Sequence, residues 1–373
     1  MQKNYFQSGN LKFSEKLLSL DFQLIFLILI LGIISFFAMY STERGTFGYY
    51  TQSHIYRFCF FFVIFIILSF IKVNFWLKTS YFFYFIVLLL LLGVDIFGIT
   101  ASGSKRWINL FIFNLQPSEL MKISLILFLA RYYNKIPTHD LERIRYMLVP
   151  IFALFIPVIM VAAQPDLGTA MLIAVSGFAV IWLTGFRIKY FVYSSVMLIC
   201  LTPVSIAFLK PYQKSRILTF LNPERDPLGA GYQIIQSKIA VGSGGITGKG
   251  FLKGSQRYLD YLPEKHTDFI FTLFSEEFGF LGCLLLLFIY ALIIYRIAKI
   301  GLNSRNNFAK LYCFGFATAF FIYVIVNMSM VLGLLPIVGA PLPIMSYGGS
   351  SMMAMMIGLG IVMSCKVSDQ ENI

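Results

Sequence analysis

Uncharged or nearly uncharged runs of about twenty residues recur from one end of this 373-residue chain to the other, each long enough to cross a ~30 Å hydrocarbon core as a helix. Ten such spans are expected, near 22–40, 55–71, 80–99, 118–134, 146–164, 168–185, 190–209, 269–295, 309–335 and 346–365. A chain with 58% hydrophobic and 13% charged residues and a mean hydropathy of +0.78 has too little polar surface for a soluble fold of this size. The expected fold is an all-α polytopic membrane protein, one integral domain over 1–373. It has a short N-terminal tail (1–21), one large loop (210–268) between helices 7 and 8, and a C-terminal tail (366–373). Met39-Tyr40-Ser41-Thr42 is not a small-x-small cleavage site, so the first apolar run is read as a span rather than a cleaved signal.

Lys and Arg sort the loops into two sides. Lys72, Lys78, Arg131, Lys135, Arg143, Arg145, Arg187, Lys189, Arg296, Lys299, Arg305 and Lys310 fall on alternate connections, with Lys3, Lys12, Lys16 and Lys366 at the termini. The intervening short loops hold only Arg44, Arg57, Lys105 and Arg106. This asymmetry places both termini in the cytoplasm and the long loop outside. The net charge of +13 is spread over the chain, which excludes a nucleic-acid footprint. Three histidines, and five cysteines within or beside apolar runs, offer no zinc pattern.

The long loop carries nine basic residues (Lys210, Lys214, Arg216, Arg225, Lys238, Lys249, Lys253, Arg257, Lys265) against five acidic ones (Glu224, Asp226, Asp260, Glu264, Asp268), a net +4. That surplus suits an anionic group. Tyr232, Ile235 and Ile239 recur at helical spacing, as in a helix lying on a membrane surface. Gly242 to Gly250 could bring backbone N–H groups close to a ligand. It is not a P-loop, because Ser243 and Gly250 stand where that motif needs Gly and Ser/Thr. Asp268 opens the next span, either as a first-turn carboxylate behind a Thr267 cap or as a general base at the aqueous end of a lipid-facing cleft.

Ionisable residues within spans are costly and mark function or pairing. Glu119 and Lys122, three apart, can pair with each other or line a polar cavity. Asp166 can cap the helix beginning there, and at least one of Glu276 and Glu277 faces the interior. Trp107, beside Lys105 and Arg106, has the composition of an interfacial anchor. The broken stretch Gly333 to Ser351 must be buried or line a cavity, so it is expected to wall a pocket.

Several motifs occur here in one order: Ser104-Lys105-Arg106-Trp107-Ile108, Gln116-Pro117-Ser118-Glu119, Gln164-Pro165-Asp166-Leu167-Gly168-Thr169, Asp226-Pro227-Leu228-Gly229, Gly231 to Ser237, Gly248-Lys249-Gly250, Pro263 to Phe271, and Pro341 to Ser350. By them the chain resembles the shape, elongation, division and sporulation (SEDS) family of bacterial cell-wall polymerases over roughly 20–366. Gly254-Ser255-Gln256, and Lys265 before His266, look like the elongation branch rather than the division branch. Ser255 and Lys265 stand where Thr and Arg are common there.

The resemblance implies a ten-span protein of the bacterial cytoplasmic membrane that polymerises lipid II into glycan strands, with undecaprenyl pyrophosphate leaving. It implies Asp268 as the essential carboxylate, with Trp107, Glu119, Lys122 and Asp166 functionally sensitive. Lys238, Lys249, Lys265 and His266 are further candidates for substrate binding. It implies a class B penicillin-binding protein as partner within the elongation machinery. A divalent cation (Mg or Mn) is a candidate aid to the leaving group. The alternative from another class is a lipid II flippase, which needs access from both sides of the membrane.

Overall fold

In the computed structural model the fold is described for residues 13–371, except 102–103, 110–113, 138–142, 144, 187, 191, 194–195, 197–199, 201–210, 227–228 and 256–265. A short helix α1 (Phe13–Leu18) leads into α2 (Phe22–Thr42), α3 (Tyr49–Ser69) and α4 (Val73–Phe97). A small antiparallel sheet follows in the order β1 (Ile99–Ala101), β2 (Ser104–Asn109), β3 (Asn114–Leu115). Next come α5 (Pro117–Asn134), α6 (Arg145–Ala163), α7 (Leu167–Leu183), α8 (Pro211–Leu221) and α9 (Ala230–Ser243). The chain closes with α10 (Ile270–Asn303), α11 (Asn307–Val331) and α12 (Gly349–Glu371).

Seven of these helices are long and apolar enough to cross a membrane, and α7 is a shorter apolar helix. α5 is the least hydrophobic of the expected spans, yet every residue from Pro117 to Ala130 is buried. It sits at the centre of the bundle against α4, α7, α11 and α12. The outer helices instead expose large apolar side chains, such as Phe82, Phe85 and Leu89 on α4 and Phe152, Phe155 and Ile159 on α6. In water such continuous apolar faces would drive association; in a bilayer they are the solvent-matched surface. The chain is a mostly helical, multi-pass membrane protein. Nine of the ten expected spans correspond to helices, and most of the span expected at 190–209 lies outside the described residues.

Two helices begin earlier than their apolar runs. α3 starts at Tyr49 because the Glu43 carboxylate accepts the Tyr50 and Thr51 N–H groups (2.9 and 2.8 Å), covering donors that a helix start leaves bare. α4 starts at Val73, and its first turns bury Val73 and Trp76 among polar neighbours. At its other end the Lys105 ammonium donates to the Asp95 carbonyl (2.7 Å), completing the last turn.

Candidate active site

α10 is one helix in sequence but two in space. At Gly279 the backbone turns to φ +63°, ψ −162°, which interrupts the helical ladder. The carbonyls of Glu276 and Glu277 instead accept the N–H groups of Lys249 and Gly250, both at 3.0 Å. In return the Phe280 and Leu281 N–H groups donate to Gly245 and Ile246 carbonyls (2.9 and 3.1 Å). The Gly-rich loop therefore stitches a broken helix, and two of the N–H groups considered for an anion serve that repair. Its side chains do the same. Lys249 Nζ meets Glu276 Oε1 at 2.6 Å, the Ser255 N–H and hydroxyl donate to the same oxygen (2.9 and 2.6 Å), and the Ser41 hydroxyl donates to Glu277 Oε1 (2.5 Å). Both Glu276 and Glu277 are buried. Lys249 thus holds the fold at this point.

The helix expected around Tyr232 exists as α9, and it turns a different set of residues towards the protein. Gly231, Ile234, Ser237 and Ala240 are buried, whereas Ile239 is exposed. α9 packs on α10, and the Ser237 hydroxyl donates to the Val331 carbonyl at the end of α11. Lys238 is exposed, with its side-chain end laid over Gly333, where a Cβ would come 2.0 Å from Lys238 Cε. Lys265 lies outside the described residues.

Asp268 precedes α10. The N-cap of that helix is Phe269, whose side chain makes no cap hydrogen bond, so Thr267 is not the N-cap residue and Asp268 does not lie in the first turn. Asp268 is half-buried. One oxygen of its carboxylate faces Gly339, where a Cβ would lie 3.6 Å from Oδ2. Gly339 belongs to the irregular stretch 332–348 between α11 and α12, in which Ala340, Leu342, Ile344, Met345 and Ser346 are buried. As non-helical backbone inside a membrane bundle must be, much of that stretch is buried, a wall of chain between α11 and α12. Its Val338 carbonyl packs so tightly on α7 that a Cβ at Gly168 would sit 2.0 Å from it. The wall therefore runs from Asp268 to the N-terminus of α7, where Asp166 sits.

Asp166 does cap α7, accepting the Thr169 N–H at 3.2 Å. It also accepts from Gln116 Nε2 (2.9 Å) and pairs with Arg106 (3.3 Å). Arg106 thus joins the sheet to α7, next to Trp107, which pairs with Ile99 in the strand register and is half-buried. One turn further along α5, Glu119 and Lys122 form a buried ion pair at 2.8 Å. The Tyr323 hydroxyl donates to Glu119 (3.3 Å), and Lys122 Nζ lies 3.9 Å from the Tyr323 ring centroid, a cation–π contact. The pair borders a small cavity that Ile123, Ile126, Phe316 and Phe320 also line. That arrangement fixes α5 against α11 in the bundle interior.

His266, two residues before Asp268, stacks on Tyr50 with centroids 4.1 Å apart. Its Nδ1 lies 2.8 Å from the Thr42 hydroxyl, and its carbonyl accepts the Tyr347 N–H (2.9 Å). Tyr347 in turn carries the Arg57 guanidinium over its ring at 4.5 Å. His266 therefore locks the approach to Asp268 onto α2, α3 and the wall. Three participants escaped the sequence reading: Arg106 as the partner of Asp166, Tyr323, and Asn327. Asn327 carried a usable signal, an amide deep in the apolar run 309–335, where a buried polar group demands partners. Among the described residues no group of three or more His, Cys, Asp or Glu side chains could hold a metal ion. Glu119, Asp166 and Glu276 each already face a cation of the protein.

A multi-pass helical bundle whose irregular stretch touches both the Asp268 loop and the start of α7, which Asp166 caps, belongs to the membrane-embedded proteins that keep polar groups between their helices. More narrowly, residues 18–371 match the model of the FtsW/RodA/SpoVE family, described as cell cycle protein, and the chain belongs to that family. It is 46% identical over 277 residues to the peptidoglycan glycosyltransferase MrdB of Escherichia coli K12, covering 74% of each chain. It is 37% identical over 269 residues to the stage V sporulation protein E of Bacillus subtilis (72% of each). With a probable peptidoglycan glycosyltransferase FtsW of Buchnera aphidicola it shares 34% over 317 residues (84% of this chain, 83% of that one). Among solved structures, a chain from work on "structural coordination of polymerization and crosslinking by a peptidoglycan synthase complex" superposes with a TM-score of 0.82 at 29% identity, covering 93% of this chain and 97% of that one. The Thermus thermophilus rod shape determining protein RodA superposes at 0.70 with 24% identity, covering 93% of this chain and 96% of that one, a likeness of fold.

Proposed function

We propose that this peptidoglycan glycosyltransferase joins the disaccharide units of lipid II into glycan strands during wall elongation, with Asp268 as its general base. The observation that supports the assignment most is where Asp268 sits: half-buried at the end of the long loop, with its carboxylate against the side-chain-free Gly339 and the wall that leads to Asp166. The sorting of Lys and Arg among the loops supports a site on the outer side of the bacterial cytoplasmic membrane, with both termini inside.

The chemistry suits a single base. The acceptor sugar hydroxyl gives its proton to Asp268 as its oxygen attacks the anomeric carbon of the donor. The bond to the diphosphate breaks with its electron pair, and the α linkage inverts to β. Many glycosidases need a second carboxylic acid because an alkoxide leaves poorly. A diphosphate leaves as a stable anion, so Asp268 has no such partner to find. Arg106, paired with Asp166 at 3.3 Å, is the cation proposed to stabilise the developing negative charge. A class B penicillin-binding protein is the proposed partner, and the synthase-complex relative supports it.

The test is polymerisation of purified lipid II by the purified chain in complex with its penicillin-binding partner. The unsubstituted complex makes glycan strands, and Asp268→Ala lowers the rate by about 100-fold or more. An undiminished rate removes Asp268 from the mechanism. Translocation of lipid II in partner-free vesicles that survives Asp268→Ala would instead support transport.

A further inference from the structure

We propose that Asn327 is a positioning residue for Asp268, holding the two backbones that flank the carboxylate in register. The proposal rests on the reading of Asp268 as the base. Asn327 stands near the end of α11 and is fully buried. Its Nδ2 donates twice, to the Asp268 carbonyl at 2.9 Å and to the Ala340 carbonyl at 2.7 Å. Ala340 follows Gly339, the residue that faces the Asp268 carboxylate. A single amide nitrogen therefore clamps the catalytic loop to the wall on either side of the reacting group.

The residue type is specific to the task. Both partners are acceptors, so the clamp needs a group with two donor hydrogens on one atom. Ser and Thr offer one, Asp offers none when ionised, and Leu none at all. The Thr272 N–H bonds the Phe269 carbonyl (3.0 Å) rather than that of Asp268, so Asn327 serves a carbonyl the start of α10 does not use. Asn327 Oδ1 is buried and finds no partner among the described residues. Both donors of Asn327 are committed to the segments around Asp268.

Displacement of a catalytic group by about 1 Å costs on the order of 100-fold in rate, and the clamp acts on that scale. The test is steady-state polymerisation of lipid II by the full complex carrying Asn327→Ser or Asn327→Leu, with rates expressed per folded complex after size exclusion. The expected result is kcat lowered about 10-fold for Ser and about 100-fold for Leu, in the order of donors lost, with KM within about threefold. Unchanged kcat per folded complex overturns the proposal, whether or not the yield of folded protein falls, as does an effect confined to KM. Asn327→Ser retains one donor and volume enough to fold, so the comparison survives if Asn327→Leu does not. Asp268→Ala runs in parallel. If it remains active, the reading of Asp268 fails and the positioning role with it. If it is inactive while the Asn327 variants keep full kcat, only the positioning role falls.

Discussion

Two places in this bundle break the rule that a membrane helix keeps its backbone hydrogen bonds to itself, and they resolve the break in opposite ways. At Gly279 each freed group on α10 meets a complementary group of the Gly-rich loop, and both buried glutamates are satisfied by Lys249, Ser255 and Ser41. Between α11 and α12 the chain leaves helical form for seventeen residues (332–348), and side chains of other helices meet its carbonyls: Asn327 at Ala340, Tyr290 at Pro343, and Ser35 at Ile344 and Met345. Asn327 ties it to the Asp268 carbonyl, and a half-buried carboxylate faces it across a glycine. A fully reciprocated break is a joint. A break held by side chains beside an ionisable group is where substrate groups can enter the hydrogen-bond network. Variants in the first region should therefore cost stability and spare the rate per folded molecule, and variants in the second should do the reverse.

The sharpest way to break the contrast is Gly279→Ala. A Cβ there falls 2.3 Å from the Gly248 nitrogen, on a backbone at φ +63°, and should cost about 3 kcal/mol or more of stability. Thermal unfolding of the purified complex reads the loss. Lys249→Met removes the cation that faces the fully buried Glu276 and leaves the two Ser255 donors in place. Because the Lys249 side chain is a third exposed (32%), the expected cost is about 2 kcal/mol rather than that of a wholly buried pair. Glycan polymerisation per folded complex should stay within twofold, and a large fall would return Lys249 to the substrate site. Asp166→Asn keeps the shape of the α7 cap but removes the charge that anchors Arg106. It should lower the polymerisation rate about 10-fold with little change in unfolding temperature. Ser41→Ala, which deletes one donor to Glu277, should cost about 1 kcal/mol and leave the rate alone.

The spans were legible because a bilayer demands length and hydropathy, and both are local properties of the sequence. Asp166 and the Glu119–Lys122 pair were legible for a related reason, since an ionisable group in hydrocarbon needs a partner. The inward face of α9 was not. The spacing of Tyr232, Ile235 and Ile239 marks a face for the membrane surface and does not say which residues turn towards the protein. In this helix Gly231, Ser237 and Ala240 take inward positions with Ile234, since small residues let helices approach closely and large ones can face lipid. The early starts of α3 and α4 escaped because polar residues there belong to the helix. The joint at Gly279 escaped for a topological reason. Its hydrogen bonds link residues 245–250 to 276–281, and no periodicity within either segment announces the pairing.

The central claim is that the carboxylate of Asp268 acts as a base, not as a structural polar group. Asp268→Asn tests it most directly, because the amide keeps the size and much of the hydrogen-bonding capacity of the carboxylate while removing its basicity. The measurement is the initial rate of glycan polymerisation from purified lipid II by the complete complex, with unfolding temperature and partner binding read on the same preparation. The account predicts a fall of about 100-fold or more in rate with folding and partner binding intact. A rate within twofold of the unsubstituted complex would contradict it.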